Sequence, residues 1–159
     1  MARRKLRNLD ARILKKTIYY GALLGIDEIS TKKIAEDIGI TEPTIYVHFR
    51  TRANLLFEAN SAAVKKIGEE FLSGDMSLSE RFRLALMSAK NNPEAVLYAF
   101  YYRQKNLSDE FDHLFDEFFR KPTAAKDGVI EGFLYRVATG SVEVTEEVAE
   151  ELFDLVRSL

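Results

Sequence analysis

The chain of 159 residues has no cysteine, no tryptophan, three prolines and two histidines. Without cysteine there is no disulfide, no thiol chemistry and no cysteine-based metal site. No run of roughly 18 apolar residues occurs, so no membrane-spanning helix is expected. The opening MARRKLRNLDARIL is basic but lacks an apolar core and a cleavage site, which argues against a secretory signal and for a cytoplasmic location. Two histidines are too few for most helical metal centres. Glu110 and His113 have the Glu-x-x-His spacing of half a di-iron site, but such a site needs a second pair and further carboxylates. The other histidine is His48, far away in sequence, so no metal or cofactor is expected. There is no Ser-His-Asp arrangement and no glycine loop for phosphate, so a helical enzyme is poorly supported.

What is present is charge asymmetry and a dense run of helix signals. Residues 1–60 hold 11 Lys/Arg against 7 Asp/Glu, and residues 61–159 hold 12 against 18. A basic front on an acidic remainder turns one end of a molecule toward a polyanion. The stretch 30–52, STKKIAEDIGITEPTIYVHFRTR, reads as two short helices and the entry to a third. Ser30, Thr41 and Thr51 stand at N-cap positions, and Gly39 suits the left-handed residue that ends a helix. Helix, glycine turn and second helix make a helix-turn-helix, whose second helix lies in the DNA major groove. On that second helix, Ile45 and Phe49 are spaced to face inward. Thr44, Val47 and His48 are left outward, with Glu42 and Pro43 at the N-terminus. Tyr46, Arg50 and Arg52 add hydroxyl and guanidinium groups suited to phosphate oxygens.

These residues resemble the tetracycline-repressor (TetR) family of bacterial transcription regulators. The matching pieces are Ile13-Leu14, Gly25 to Ser30, Ile34-Ala35, Gly39-Ile40-Thr41 and the run from Thr44 through Ile45, Tyr46, Val47, His48 and Phe49 to Arg50. Two positions depart from the pattern: Gly21 stands where a bulky core residue is common, and Ile26 replaces an aromatic. The resemblance implies an all-α fold in three parts. These are an arm and helix-turn-helix domain (1–50), a linker helix (51–73) and a helical effector-binding and dimerisation domain (74–159). It also implies that Thr31, Lys32, Tyr46 and Arg52 meet phosphate or flanking bases, and that Glu42 lies at a contact position. Thr44, Val47 and His48 would read base edges, the methyls of Thr44 and Val47 against thymine.

Along the chain, residues 2–7 (ARRKLR) carry four basic side chains. They suit either phosphate and minor-groove contacts or a solvated, frayed end. A first helix is predicted over 9–24 and a long fourth helix over 51–72, stopped at Ser73 and Gly74. Ser77 and Glu80 form a capping box, Asn92-Pro93 opens another helix, and Ser108 precedes an acidic first turn. A helix over 122–139 follows the break at Lys121-Pro122, and Thr145 caps the last one. That makes nine helices and no convincing strand. The apolar faces of the last two helices are broader than packing within one chain requires. The resemblance accordingly implies a homodimer through residues 122–159 on a palindromic operator in double-stranded DNA. The alternative is a small domain with a broad core face.

Residues 82–119 are rich in aromatics. The resemblance implies an effector site here, and an aromatic-lined helical cavity suits a small apolar or aromatic molecule. Phe82, Tyr98, Tyr101, Tyr102, Arg103 and His113 are the candidate ligand residues, although an aromatic stripe also suits plain core. With five helices after the linker, a pocket is expected to be small, shallow or missing. Two functional readings follow. One is a dimeric repressor released by a small effector. The other is a helix-turn-helix protein whose C-terminal helices only dimerise or bind a protein partner. A closed core in residues 78–135 would favour the second.

Overall fold

Hydroxyl residues open most of the helices, as their spacing in the sequence predicts. The structure, a computed structural model, describes residues 2–69, 75–105, 107–119 and 122–159, with side chains from Asn8 onward. Its helices are α1 (Ala2–Leu24), α2 (Thr31–Ile38), α3 (Glu42–Phe49), α4 (Arg52–Gly68), α5 (Leu78–Asn91), α6 (Pro93–Gln104), α7 (Glu110–Phe119), α8 (Ala124–Ala138) and α9 (Glu146–Ser158). No strand occurs among the described residues, so the fold is all-α. No helix is long and apolar enough to cross a membrane among those residues.

Ser30, Thr51, Thr123 and Thr145 each accept a hydrogen bond from the backbone N–H three residues on. Ser77 and Glu80 complete the reciprocal capping box. Such caps satisfy amides that have no partner within the helix, each contributing about 1 kcal/mol. Gly39 ends α2 at φ 73°, and the N–H groups of Gly39 and Ile40 close the turn onto Glu36 and Ala35.

Three expectations change. The first helix begins at Ala2, not near residue 9, so the backbone of the basic arm continues α1. The helix expected from residue 122 begins at Ala124, because the Thr123 hydroxyl takes the N-cap position. Thr41 sits at the N-cap of α3 without bonding to its backbone, and its hydroxyl pairs with Thr44 instead. The side chains of residues 2–7, the stop at Ser73 and Gly74, and the break at Lys121 lie outside the described residues.

α6 is the centre of the packing: it lies against α1 and α4 on one side and against α8 on the other. Its Tyr98 is fully buried and donates a hydrogen bond to the carbonyl of Leu56 in α4 at 3.0 Å. Gly21 of α1 faces the same ring. A Cβ at position 21 would stand 2.4 Å from Cδ2 of Tyr98. The space that a bulky residue takes in the family pattern is therefore filled here from α6. Ile26 is buried in the adjoining core. One continuous apolar cluster runs from Ile13 and Ile34 in the N-terminal helices through Tyr98 to Leu134 and Val156.

Candidate nucleic-acid interface

α2 and α3 are held together by their apolar inner faces and by a short polar chain. Ile34, Ala35 and Ile38 of α2 and Ile45 and Phe49 of α3 are buried. The hydroxyl of Thr31 donates to the Glu42 carboxylate and lies 3.2 Å from the Tyr46 hydroxyl. With its one proton given to Glu42, Thr31 accepts from Tyr46. Thr31 is buried, so it braces the two helices where the sequence suggested a DNA contact.

α1 clamps this pair from behind. Arg12 donates to the carbonyl of Ile38 at 2.9 Å, beside the C-terminus of α2. Asp37 takes a hydrogen bond from Tyr20 and ion pairs from Lys33 at 3.1 Å and Lys16 at 3.5 Å. The hydrogen bond from Tyr20, and then that from Lys33, lower the Asp37 pKa to about 2. The same bond raises the Tyr20 phenol.

His48 departs from its expected outward position. Its Nδ1 lies 2.5 Å from Asp10 of α1, and its side chain is only 12% exposed. Helical spacing within α3 gave no sign of this, because Asp10 is 38 residues away. Arg52 likewise turns into the protein. Its guanidinium donates to the carbonyls of Ile29 at 2.6 Å, Ile26 at 3.1 Å and Asp27 at 3.2 Å, so it fastens the loop between α1 and α2 to the start of α4. Both residues support the site from within.

Two residues of α3 are exposed, Pro43 at its start and Val47 at 80%, while Glu42, Thr44, Tyr46 and His48 are half-buried. Lys32 and Arg50 are exposed and form no ion pair among the described residues. Arg50 also adopts φ 63°, where a side-chain-bearing residue costs about 1–2 kcal/mol. The sequence placed Arg50 only at the flank of the motif.

The six candidate ligand residues do not converge. Phe82 packs with Phe133 and Phe153 from α8 and α9. Tyr98 stacks on Tyr102, and burial raises both phenols above their ordinary value. Tyr101 lies 3.5 Å from the Tyr135 hydroxyl. Arg103 pairs with Asp112 and Glu131. Burial pulls its pKa down, yet its hydrogen bond to Glu131 and the nearby carboxylates leave it raised. Burial also raises Glu131 and Asp127, against the pull of Arg103. His113 is exposed, 3.0 Å from Asp109. Glu110 instead accepts hydrogen bonds from Asn60 at 2.8 Å and Ser61 at 2.9 Å, tying α7 to α4.

Cavities follow from this packing. The void among Ile67, Val96, Phe111, Phe115 and Leu134 holds about 10 Å³, less than a typical small-molecule site by more than an order of magnitude. An apolar cleft of about 230 Å³ is lined by Phe82, Phe119, Ile130 and Phe153. Two larger hollows are open grooves: about 640 Å³ at Arg103 and Asp112, and about 690 Å³ between α1, α4 and the start of α6.

No curated protein matches this chain in sequence. Residues 22–59 match the family described as "Bacterial regulatory proteins, tetR family", a span that contains α2, α3 and the Arg52 brace. The fold is similar to the crystal structure of a TetR-like transcriptional regulator from Rhodococcus sp. RHA1. The TM-score is 0.68 at 18% identity, covering 93% of this chain and 91% of that one. The family match thus covers the helix-turn-helix segment, and the likeness to the Rhodococcus structure is one of fold over nearly the whole chain.

Proposed function

We propose that the protein is a homodimeric repressor that binds a palindromic operator in duplex DNA, within the cytoplasm, and is released from it by a small effector. The observation that carries the DNA-binding part is α3 itself. It is buried along Ile45 and Phe49, is braced by Thr31 and Asp10, and offers Val47 to solvent with Lys32 and Arg50 nearby in the motif. Lys32 and Arg50 supply charge for phosphates, and α3 supplies the groove-reading surface. Dimerisation is supported by the end of the chain, where Leu155 of α9 is 49% exposed and Leu159, the C-cap of that helix, is 54% exposed. Two-fold pairing through residues 122–159 would set two copies of α3 in successive major grooves, about 34–36 Å apart or somewhat more.

Light scattering on a chain of 18.2 kDa tests the assembly: the intact protein should weigh twice that, and Leu155→Glu should shift it to the monomer. The same variant should lose most operator affinity, because two half-sites bound jointly gain from effective concentration. A monomeric wild-type protein with full affinity would refute the dimer. A reporter promoter carrying the operator distinguishes repression from activation.

A second reading drops the effector switch, and one observation favours it: the rings of Phe111 and Phe115 enclose a void of only about 10 Å³, which leaves the cleft of about 230 Å³ at Phe82 as the apolar space in the aromatic stretch. In that reading the C-terminal helices only dimerise or hold a protein partner. An apolar or aromatic compound that releases the operator complex at saturating dose would restore the effector-released repressor, with the cleft at Phe82 as its point of entry.

A further inference from the structure

α1 and α6 lie side by side. They meet where the Tyr98 ring covers Gly21, and Lys105, just past the end of α6, pairs with Asp27 beyond the end of α1. Toward their N-terminal ends the two helices part, and α4 bounds the gap as well. The hollow left there holds about 690 Å³, within the roughly 300–1,000 Å³ of small-molecule sites. It shares no lining residue with the cleft at Phe82.

The walls divide into an apolar floor and a charged rim. Leu14 and Ile18, one turn apart on α1, are half-buried, and so is Ala62 of α4. Lys15 follows Leu14, and Lys66 stands one turn beyond Ala62, so each apolar strip carries an exposed cation. Neither lysine forms an ion pair among the described residues, whereas the adjacent Lys16 is held by Asp37. Glu94, exposed at the start of α6, is the one carboxylate on the walls among the described residues, and it pairs with neither lysine. Those walls therefore carry a net charge of +1.

We infer that this groove binds an amphipathic monoanion, a carboxylate whose head meets Lys15 and Lys66 and whose apolar body lies along Leu14, Ile18 and Ala62. A carboxylate at pH 7 carries one negative charge and matches the excess on the walls. A phosphate monoester carries about −1.5 to −2 and would leave charge unmatched beside Glu94. The inference goes beyond the DNA-binding reading and does not depend on it.

The test is calorimetric titration of the full-length protein, without DNA, with decanoate. One decanoate should bind per chain. Lys15→Gln and Lys66→Gln should each weaken it by about fivefold, the upper value for an exposed ion pair. Octanoate should bind more weakly by about fourfold or more, the share of one buried methylene. Decyltrimethylammonium, with the same tail and a cationic head, should not compete. Ala11→Trp, at an exposed position on the groove wall, should block the site. Both lysines are exposed, so their replacement leaves the core intact, which thermal unfolding of each variant checks. Lys126→Gln, at the cleft beside Phe82, should leave binding unchanged. Absence of saturable binding, or equal competition by the cation, would overturn the inference. So would binding that survives the loss of both lysines, or that falls with Lys126→Gln instead and so belongs to the cleft at Phe82.

Discussion

The two halves of the molecule use the same device, internal engagement of side chains, to opposite ends. In the head, engagement of polar groups fixes α3 and leaves an apolar face outward at Val47. In the C-terminal half, engagement of aromatic rings fills the interior, so that Phe82, Tyr98 and Tyr102 become core. A residue that looks available in a sequence is often one that the tertiary fold has already used. Candidate contacts such as His48 and Arg52, and candidate ligand residues such as Tyr98, illustrate the same point from the two sides.

The largest expected effect breaks the seam between the halves. Tyr98→Ala removes the ring against Gly21 and the bond to Leu56, and should cost about 3–5 kcal/mol by chemical denaturation. If Tyr98 instead belonged to an open ligand site, its loss would leave stability nearly unchanged. A smaller effect is expected at Arg52. Removing three hydrogen bonds to the Ile26, Asp27 and Ile29 carbonyls should cost about 1–3 kcal/mol. The dependence of DNA affinity on salt should stay nearly constant, because no phosphate contact is lost. A salt slope that falls by about one, with stability intact, would return Arg52 to the phosphate contacts.

The smallest effect is in acid. Asp37 is held down to about 2 by Tyr20 and Lys33, so the folded head binds this proton less readily than the unfolded chain. Its stabilising share is full above the ordinary carboxylate range and is lost as pH falls through the folded value. Asp37→Asn should therefore flatten the fall in stability between about pH 4 and pH 2, measured by denaturation at each pH. An unchanged acid limb would show that the clamp of Tyr20, Lys16 and Lys33 does not couple to folding.

Much of the fold was legible because its signals are local. Ser30, Thr51, Ser77 and Thr145 act on amides three residues away, and the spacing of Ile45 and Phe49 encodes the inner face of α3. The Arg50 backbone and the brace at Arg52 were less legible, since a guanidinium in sequence does not declare whether it will meet a phosphate or a carbonyl. The partnership of Asp10 with His48 and that of Gly21 with Tyr98 had no local signal at all.

By itself, then, the sequence determined the all-helical chain, the helix-turn-helix and the residues around which α3 is built. Helix periodicity, caps and the αL glycine operate within a few residues, so one dimension suffices to read them. Only the tertiary structure decided which outward-spaced side chains stay free. That choice depends on neighbours brought from 11 to 38 residues away. It leaves Val47 exposed, ties up His48, Glu42 and Arg52, and closes the aromatic middle into core.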